Sequence, residues 1–599
     1  GFIVQSEESI KLTPLHYVLF VFLLVMAVAG VFGIDPQTSF FGTFFSSVSI
    51  VLLWTLGVLA TLIGEFVRRD FGFVKKIAGS MFFSGIVVAF ISHLFTLGFN
   101  WWVFDVAESG STIGNSSFAG TFLLFALASG FYILFTAQSW KKKIFTSAGI
   151  LTILVSPLFL NAQLWRGVIS VSDILHSPFI LSGAAQGAQL GVVVFLLFSL
   201  SFWLIVSEKK AKKIIGATLL IIFAVGLGLS YASLLNPGSK VHQYFAEAKS
   251  GNRFVFWDIA KVAIERKPFL GYGFENYQKV YQQNFDPIIF KEGYAAEQWV
   301  SNPHNVVYDM AVSAGIIGLL AYMALLGFTC VAFLNFVKEK EKVAEKAMIV
   351  FAGVLVGYLA QNFFVFDTPT SFLVYFVYIG LAMGCLLRDM PENNITSSEN
   401  SIVRKSIIFG GIGLSTICFV MLVILPWYES REWARLQSLP ISDEYIALQE
   451  KIQHVSLMGG VDADSFYAAS TIKVLDDIRK NLKPEEQTIF LREIDSLVVI
   501  LSKDNQKFPN DFYIAYRAGT LMHMAFAVEP TRGTSYLDQA RVFFDQAMSI
   551  SPRNPRVYFN LAQNELFRGN KGAAASFVRV GMALGLQAEG EAFLERIEK

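Results

Sequence analysis

Eleven stretches of this chain are apolar for long enough to cross a bilayer, and that repetition decides the fold class before any other feature does. A membrane-spanning helix needs about 20 mostly apolar residues. Runs of this kind lie near 13–33, 43–67, 74–99, 118–138, 144–161, 179–207, 213–235, 305–335, 346–366, 370–388 and 405–426. The run at 144–161 is short, and 346–366 passes into 370–388 through a tight Asp367-Thr368-Pro369 turn. Composition agrees: 16% of the 599 residues are charged, against about 25% in soluble domains. A net charge of +1 argues against a nucleic-acid partner. Cys330, Cys385 and Cys418 all sit in apolar runs and read as small core residues, which leaves neither a disulfide framework nor a zinc site. The chain starts at Gly1 rather than Met, so processing or a missing N-terminal piece is expected, and no cleavable signal pattern is visible.

The connecting loops sort by charge. One alternate set carries Arg68, Arg69, Lys75 and Lys76; Lys141 to Lys143; Lys209, Lys210, Lys212 and Lys213; Lys338, Lys340, Lys342 and Lys346; and Arg388, Arg404 and Lys405. The other set (34–42, 100–117, 162–178, 367–369) holds one basic residue, Arg166. Lys and Arg are retained on the cytoplasmic side, so the first set is expected inside and the second outside. The large loop 236–304 and everything after the last span then lie outside. The expected organisation is a multi-span membrane domain over 1–426 and an extracytoplasmic helical domain over 427–599.

Past residue 426 charge rises and helical periodicity appears. The stretch from Tyr536 fits a tetratricopeptide period of 34 residues. Ala540, Phe544, Ala547 and Pro552 fall on second-helix positions of one repeat; Tyr558, Leu561, Ala562, Gly569 and Ala574 fall on the next. The pattern is clearest over 511–584. An unrelated helical bundle is the alternative. A helical array offers a concave face for a protein partner, so docking is expected of it rather than chemistry.

No phosphate loop, dinucleotide fingerprint, HExxH or paired Cys is present. Chemistry concentrates in the outer loop. A helix over Arg253–Glu265 would place Arg253, Trp257 and Lys261 on one face, at i, i+4 and i+8, and lie amphipathically at the interface. Arg253 either grips a phosphate bidentately or snorkels to headgroups. In Ser301-Asn302-Pro303-His304-Asn305, Asn302 suits an N-cap and Pro303 the first helical position. His304 and Asn305 then fall in the first turn of the next span, where free N–H groups and the helix dipole favour an anion. Such an end also keeps His304 neutral, as a base must be. Tyr308 lies one turn on. Against this stands a plain interfacial His. Glu65, His93, Asn100, Gln186, Gln189, Gln361 and Asn362 lie in or at the ends of spans, where interhelical hydrogen bonding is the commoner use. Asp367 is a capping residue or a site acid.

Several stretches, in order, resemble the O-antigen ligase and polymerase family, specifically a subgroup with tetratricopeptide tails. They are Gly110-Ser-Thr-Ile-Gly-Asn115; Arg253 to Trp257 with Pro268, Leu270-Gly-Tyr-Gly273 and Glu275-Asn276-Tyr277; Pro303-His304-Asn305 with Gly315-Ile-Ile-Gly318; and Gln361-Asn362 with Phe366-Asp367. Together they cover roughly residues 30–390. The resemblance implies an all-α, GT-C-like membrane helix bundle followed by an extracytoplasmic helical-repeat domain. It implies a glycosyltransferase of the cytoplasmic (inner) membrane that moves a glycan from undecaprenyl pyrophosphate to a hydroxyl of a glycolipid, polysaccharide or protein acceptor, without metal or other cofactor. Arg253 would bind pyrophosphate and His304 activate the acceptor or orient the donor. Arg166, Trp257, Lys261, Asn305, Tyr308 and Gln186 would contact substrate. Two departures thin the usual basic complement: Gln186 stands where the family has Arg, and Ser301-Asn302 where the subgroup has Asp-Arg. Polymerisation of repeat units, protein glycosylation, and a non-catalytic scaffold recruiting partners through the tail are the competing expectations.

Overall fold

The computed structural model describes residues 12–42, 48–99, 110–160, 185–247, 252–291, 293–294, 296–338, 343–389, 484–532 and 534–599, with Val420 and Ile472 as isolated positions. Among the described residues the chain is helical and forms no β-strand. The helices are α1 (Pro14–Val31), α2 (Pro36–Phe41), α3 (Ile50–Arg69), α4 (Gly72–Thr96), α5 (Ser116–Thr136), α6 (Trp140–Leu154), α7 (Gln186–Ile205) and α8 (Lys210–Leu235). The 236–304 loop adds α9 (Lys240–Glu247), α10 (Asn252–Arg266) and α11 (Tyr277–Gln283). Then come α12 (Val306–Lys338), α13 (Val343–Lys346), α14 (Ile349–Asn362) and α15 (Pro369–Asp389). The C-terminal part holds α16 (Pro484–Lys507), α17 (Phe512–Val528), α18 (Ser535–Ile550), α19 (Pro555–Phe567), α20 (Lys571–Ala583) and α21 (Gln587–Glu598).

Ten of the eleven expected runs fall on these helices; the run at 405–426 lies outside the described residues. Eight described helices are long and apolar enough to cross a membrane. α6 and α14 follow the expected positions but, at 15 and 14 residues, fall short of the length a full crossing needs. Local chemistry sets the starts. Ser49 and Asn115 accept N–H bonds from Leu52 and Ser117, each such cap worth about 1 kcal/mol. α14 ends just before Asp367, whose buried carboxylate accepts from the hydroxyls of Tyr322 and Ser371 at 3.0 Å, from Asn362 Nδ2 at 3.0 Å, and from the Tyr358 hydroxyl. This carboxylate ties α12, α14 and α15 together; the N-cap of α15 is Thr368, paired with Ser371.

The membrane-type helices enclose one apolar core, but one of them contains a break. α12 leaves helical geometry at Ala314 and Gly315, the latter at φ 65° and ψ −170°. A helix break inside a membrane protein must find other partners for its backbone groups. Here the turn at Lys267–Gly273 supplies them. Tyr272 and Gly273 N–H donate to the carbonyls of Val312 and Ser313 at 2.8 and 2.9 Å, and Ile316 N–H donates to Pro268 O at 2.8 Å. A Cβ on Gly315 would meet Phe269 O at 2.0 Å, and one on Gly271 would meet Val312 O at 2.3 Å. The same turn is held from its other side by the α1–α2 connection, where Ile34 N–H donates to Tyr272 O at 2.8 Å, and just beyond it Asn276 Nδ2 donates to Ser39 Oγ of α2 at 2.9 Å.

Each of α16 to α21 packs chiefly on its neighbours in sequence. Three of their connections, at 508–511, 551–554 and 584–586, come to the same end of the array, and that end meets the 236–304 loop. Lys279 of α11 reaches Asp35 at 2.6 Å and Asp511 at 3.3 Å, with all three side chains nearly excluded from solvent. Gln282 donates to Tyr513 Oη at 2.9 Å and accepts from Asn554 Nδ2 at 3.2 Å. The Arg517 guanidinium lies 4.8 Å over the Trp299 ring, which packs on Tyr513 at 4.5 Å.

Candidate active site

α10 carries Arg253 in its first turn and is tied to the segment before α12. Trp257 Nε1–H donates to Pro303 O at 3.0 Å, the Tyr277 hydroxyl to Phe256 O at 2.7 Å, and the Tyr281 hydroxyl to Glu297 O at 2.9 Å. The i, i+4, i+8 spacing placed Arg253, Trp257 and Lys261 on one open face. The structure divides them. Trp257 is buried at 2% exposure and stacks on Tyr308 with centroids 5.9 Å apart. A large indole with its N–H satisfied gains more from burial than from an interface position. Lys261 stays exposed, bonded to Asp258 at 2.7 Å, with its charge felt by Tyr308 and Tyr231.

The start of α12 also differs from the sequence reading. The N-cap is Asn305, not Asn302: its Oδ1 accepts from Val307 and Tyr308 N–H at 2.9 and 3.4 Å. Both asparagines are competent caps, but only Asn305 stands two and three residues ahead of the freed N–H groups. His304 therefore precedes the helix, and two first-turn donors expected for an anion are taken by the Asn305 side chain. His304 adopts φ 55°, a conformation costing a non-glycine residue of order 1 kcal/mol or more. Its neighbours hold it there. The imidazole lies between Phe256 and Phe366, with centroid separations of 6.0 and 5.1 Å.

The structure brings Arg253 near enough to His304 for its charge to act on the imidazole. Burial, and secondarily the Arg253 charge, press the His304 pKa down to about 4, so the ring is neutral at pH 7. Burial also lowers Arg253, while the Glu297 carboxylate works in the opposite direction. Asn252 Nδ2 bonds that carboxylate at 3.4 Å. The arrangement is a neutral imidazole set between aromatic rings, within the field of a guanidinium. It is suited to holding an anion next to a hydrogen-bond acceptor for a hydroxyl.

Gln186 is the exposed first residue of α7. Its neighbour Gly187 abuts Gln361 near the end of α14, the end that leads into Phe366 and so to His304. Arg166 and Asn100 lie outside the described residues. The other span polar groups bond between or along helices: Gln361 Nε2 donates to Thr121 Oγ1 at 2.6 Å, His93 meets Thr152 O at 3.2 Å, and Glu65 pairs with Arg68 and Arg69 at 2.7 and 2.8 Å. Sequence reasoning missed three residues. Glu297 stands beside Arg253. Tyr231 closes the Lys261 side. Asp309 is buried in the first turn of α12, bonded to Asn302 and within the field of Asp367. An acid inside an apolar run was a visible signal for Asp309; nothing local marked Glu297 or Tyr231. Among the described residues no three His, Cys, Asp or Glu side chains could hold a metal ion.

Residues 174–323 match the family model described as O-Antigen ligase. That match spans α7 to the middle of α12, and so contains both Arg253 and His304. With the apolar helices, it indicates a multi-pass membrane protein with an O-antigen ligase-type region. The chain is 26% identical over 162 residues, 26% of its length, to a protein named "Putative polysaccharide ligase" from Rickettsia felis (strain ATCC VR-1525 / URRWXCal2). It spans about a third of that relative, 35% of its length. No solved structure matches the chain.

Proposed function

We propose that this protein is a glycan ligase of the membrane, transferring a saccharide from undecaprenyl pyrophosphate to an acceptor hydroxyl on the outer face of the cytoplasmic membrane. The observation that carries the reading is the juxtaposition of Arg253 and neutral His304 within the region matching the O-antigen ligase family. Arg253 binds the pyrophosphate, and its planar donors stabilise the charge that grows as the anomeric C–O bond breaks. His304 accepts a hydrogen bond from the attacking hydroxyl and takes its proton. A pKa of about 4 makes it a weak base in the free protein. Bound pyrophosphate neutralises Arg253 and places anionic charge nearby, and both changes raise the imidazole pKa toward the range where a base is effective. The donor thereby switches on its own base.

The charge alternation of the loops supports an outward-facing site. The contact of the C-terminal helices with the 277–300 segment supports an extracytoplasmic C-terminus, because partners in direct contact share a side. The neighbour-on-neighbour packing of α17 to α20 supports a tetratricopeptide-like array over 511–584, serving as a second domain after the membrane part. The test is transfer in proteoliposomes with a lipid-pyrophosphate donor. Arg253→Ala and His304→Ala are each expected to lower kcat/KM by about a hundredfold or more. Undiminished transfer in both variants would remove the site assignment, and absence of transfer with any donor would favour a scaffold.

A further inference from the structure

Between α10 and the C-terminal helices lies a half-open cleft of about 210 Å³, separate from the Arg253–His304 site. Its apolar lining is Ile259, Val262, Phe285 and Pro552. Its polar lining is charge-balanced, with Arg266 and Arg553 against Asp258 and Asp286, together with Gln282, Gln283, Asn284 and Ser551. Arg266 donates one N–H to Asn284 Oδ1 at 2.7 Å, and Arg553 one to Asp286 Oδ1 at 3.4 Å. A guanidinium has five N–H donors, so most of each remains for a ligand.

We infer that this cleft binds an uncharged saccharide unit of the glycan that the protein handles, an inference resting on the transfer activity proposed above. Three features lead there. Two positive and two negative side chains cancel, so the cleft lacks the net charge that would select an anion. Planar amide, carboxylate and guanidinium groups pair with adjacent hydroxyls, while the apolar lining suits the C–H face of a sugar ring. The volume lies below the roughly 300–1,000 Å³ of sites for drug-sized ligands, which fits one ring of a longer chain passing through a half-open cleft.

The position fits as well. Asp258 lies five residues along α10 from Arg253, about 7.5 Å of helix rise, and its carboxylate is bonded to Lys261 on the Tyr308 side. The cleft thus shares α10 with the reaction centre, and a glycan of a few sugars can extend along that helix from one to the other. It is completed by Ser551, Pro552 and Arg553 of the connection between α18 and α19. That gives those helices a part in substrate recognition.

The test uses the full chain in lipid nanodiscs, titrated with neutral hexose and N-acetylhexosamine oligosaccharides of three to six rings and with uronic-acid counterparts. At least one neutral oligosaccharide should bind. Arg266→Ala with Arg553→Ala, and separately the cleft-filling Gln283→Trp, should each weaken it about tenfold or more. Arg253→Ala should leave this binding within twofold. In the transfer assay the cleft variants should raise KM with kcat within threefold; a rise in acceptor KM marks the acceptor as the occupant, and a rise in donor KM marks the donor glycan. Absence of neutral-saccharide binding, binding indifferent to the cleft variants, or preference for uronates would overturn the inference. Each of those results can occur while transfer remains dependent on Arg253 and His304, so failure here is distinguishable from failure of the proposed function.

Discussion

Lys279→Met should loosen the C-terminal helices from the outer loop. The ammonium is 2.6 Å from Asp35 and 3.3 Å from Asp511, with side-chain exposures of 6%, 1% and 3%. Deleting one member of a buried ionic cluster costs about 3–5 kcal/mol, because the remaining charges lose their partner in a poorly solvated place. The lower end applies here. Both carboxylates keep other donors: Asp35 accepts from Thr38 N and Oγ1 at 3.1 and 2.8 Å, and Asp511 from Tyr513 and Ile514 N–H at 2.9 and 3.3 Å. A cost of about 3 kcal/mol is roughly a 150-fold rise in the undocked fraction. Hydrogen–deuterium exchange in nanodiscs reads it directly, as faster exchange of amides in α11 and the first turn of α17 with α3 and α15 unchanged. Adding Asp511→Asn, which keeps an N-cap acceptor while removing an unpaired charge, should restore much of the protection. Exchange accelerated less than about threefold by Lys279→Met would refute the view of this cluster as the latch between the two parts. The Asp35 carboxylate should titrate below its usual range, since Lys279 and Thr38 outweigh the upward push of burial.

Three further outcomes follow from the geometry. Gly315→Ala should prevent stable folding, because its Cβ would meet Phe269 O at 2.0 Å at a φ of 65°; a detergent-stable protein with a native melting midpoint would contradict the plugged helix break. Trp257→Phe removes the N–H bond to Pro303 O while keeping most of the buried area, so it should cost about 1–2 kcal/mol in stability and lower transfer less than His304→Ala. Thermal stability should fall as pH drops from about 6.5 to 5. His304 and His523 are held at about 4 and about 3 when folded, chiefly by burial, whereas unfolded histidine titrates near 6.5. The unfolded chain therefore takes up protons first, stability is full above about 6.5 and declines below it, and His304→Gln with His523→Gln should flatten that decline.

The positions of the helices were legible because each depends on a run of its own residues and on local caps such as Ser49 and Asn115. The outer-loop helix at Asn252–Arg266 was legible for the same reason. What sequence could not supply was pairing between distant segments. The glycines of the Leu270-Gly271-Tyr272-Gly273 turn fit a break in α12 more than forty residues later, and no local pattern links Pro268 to Ile316. Periodicity put Trp257 on the face of Arg253, yet periodicity reports only which residues share a face. It does not say what covers that face, and the carbonyl of Pro303 covers Trp257. Asn302 and Asn305 are equally good caps in isolation, and the choice between them moved His304 out of the helix. Glu297 joins the site only because Tyr281 and the C-terminal helices fix the segment that carries it.

The central claim is that Arg253 holds the leaving pyrophosphate beside a His304 whose proton affinity rises when the anion arrives. The most direct measurement is the pH dependence of the His304 ring resonances, in protein labelled with ¹⁵N-histidine and assigned by His304→Gln, with and without a lipid-pyrophosphate donor. The free protein should titrate near pH 4, and the donor should raise that value by one unit or more, an effect abolished by Arg253→Ala through loss of donor binding. A His304 that titrates near 6.5 in the free protein, or one indifferent to the donor while transfer proceeds, would contradict the account.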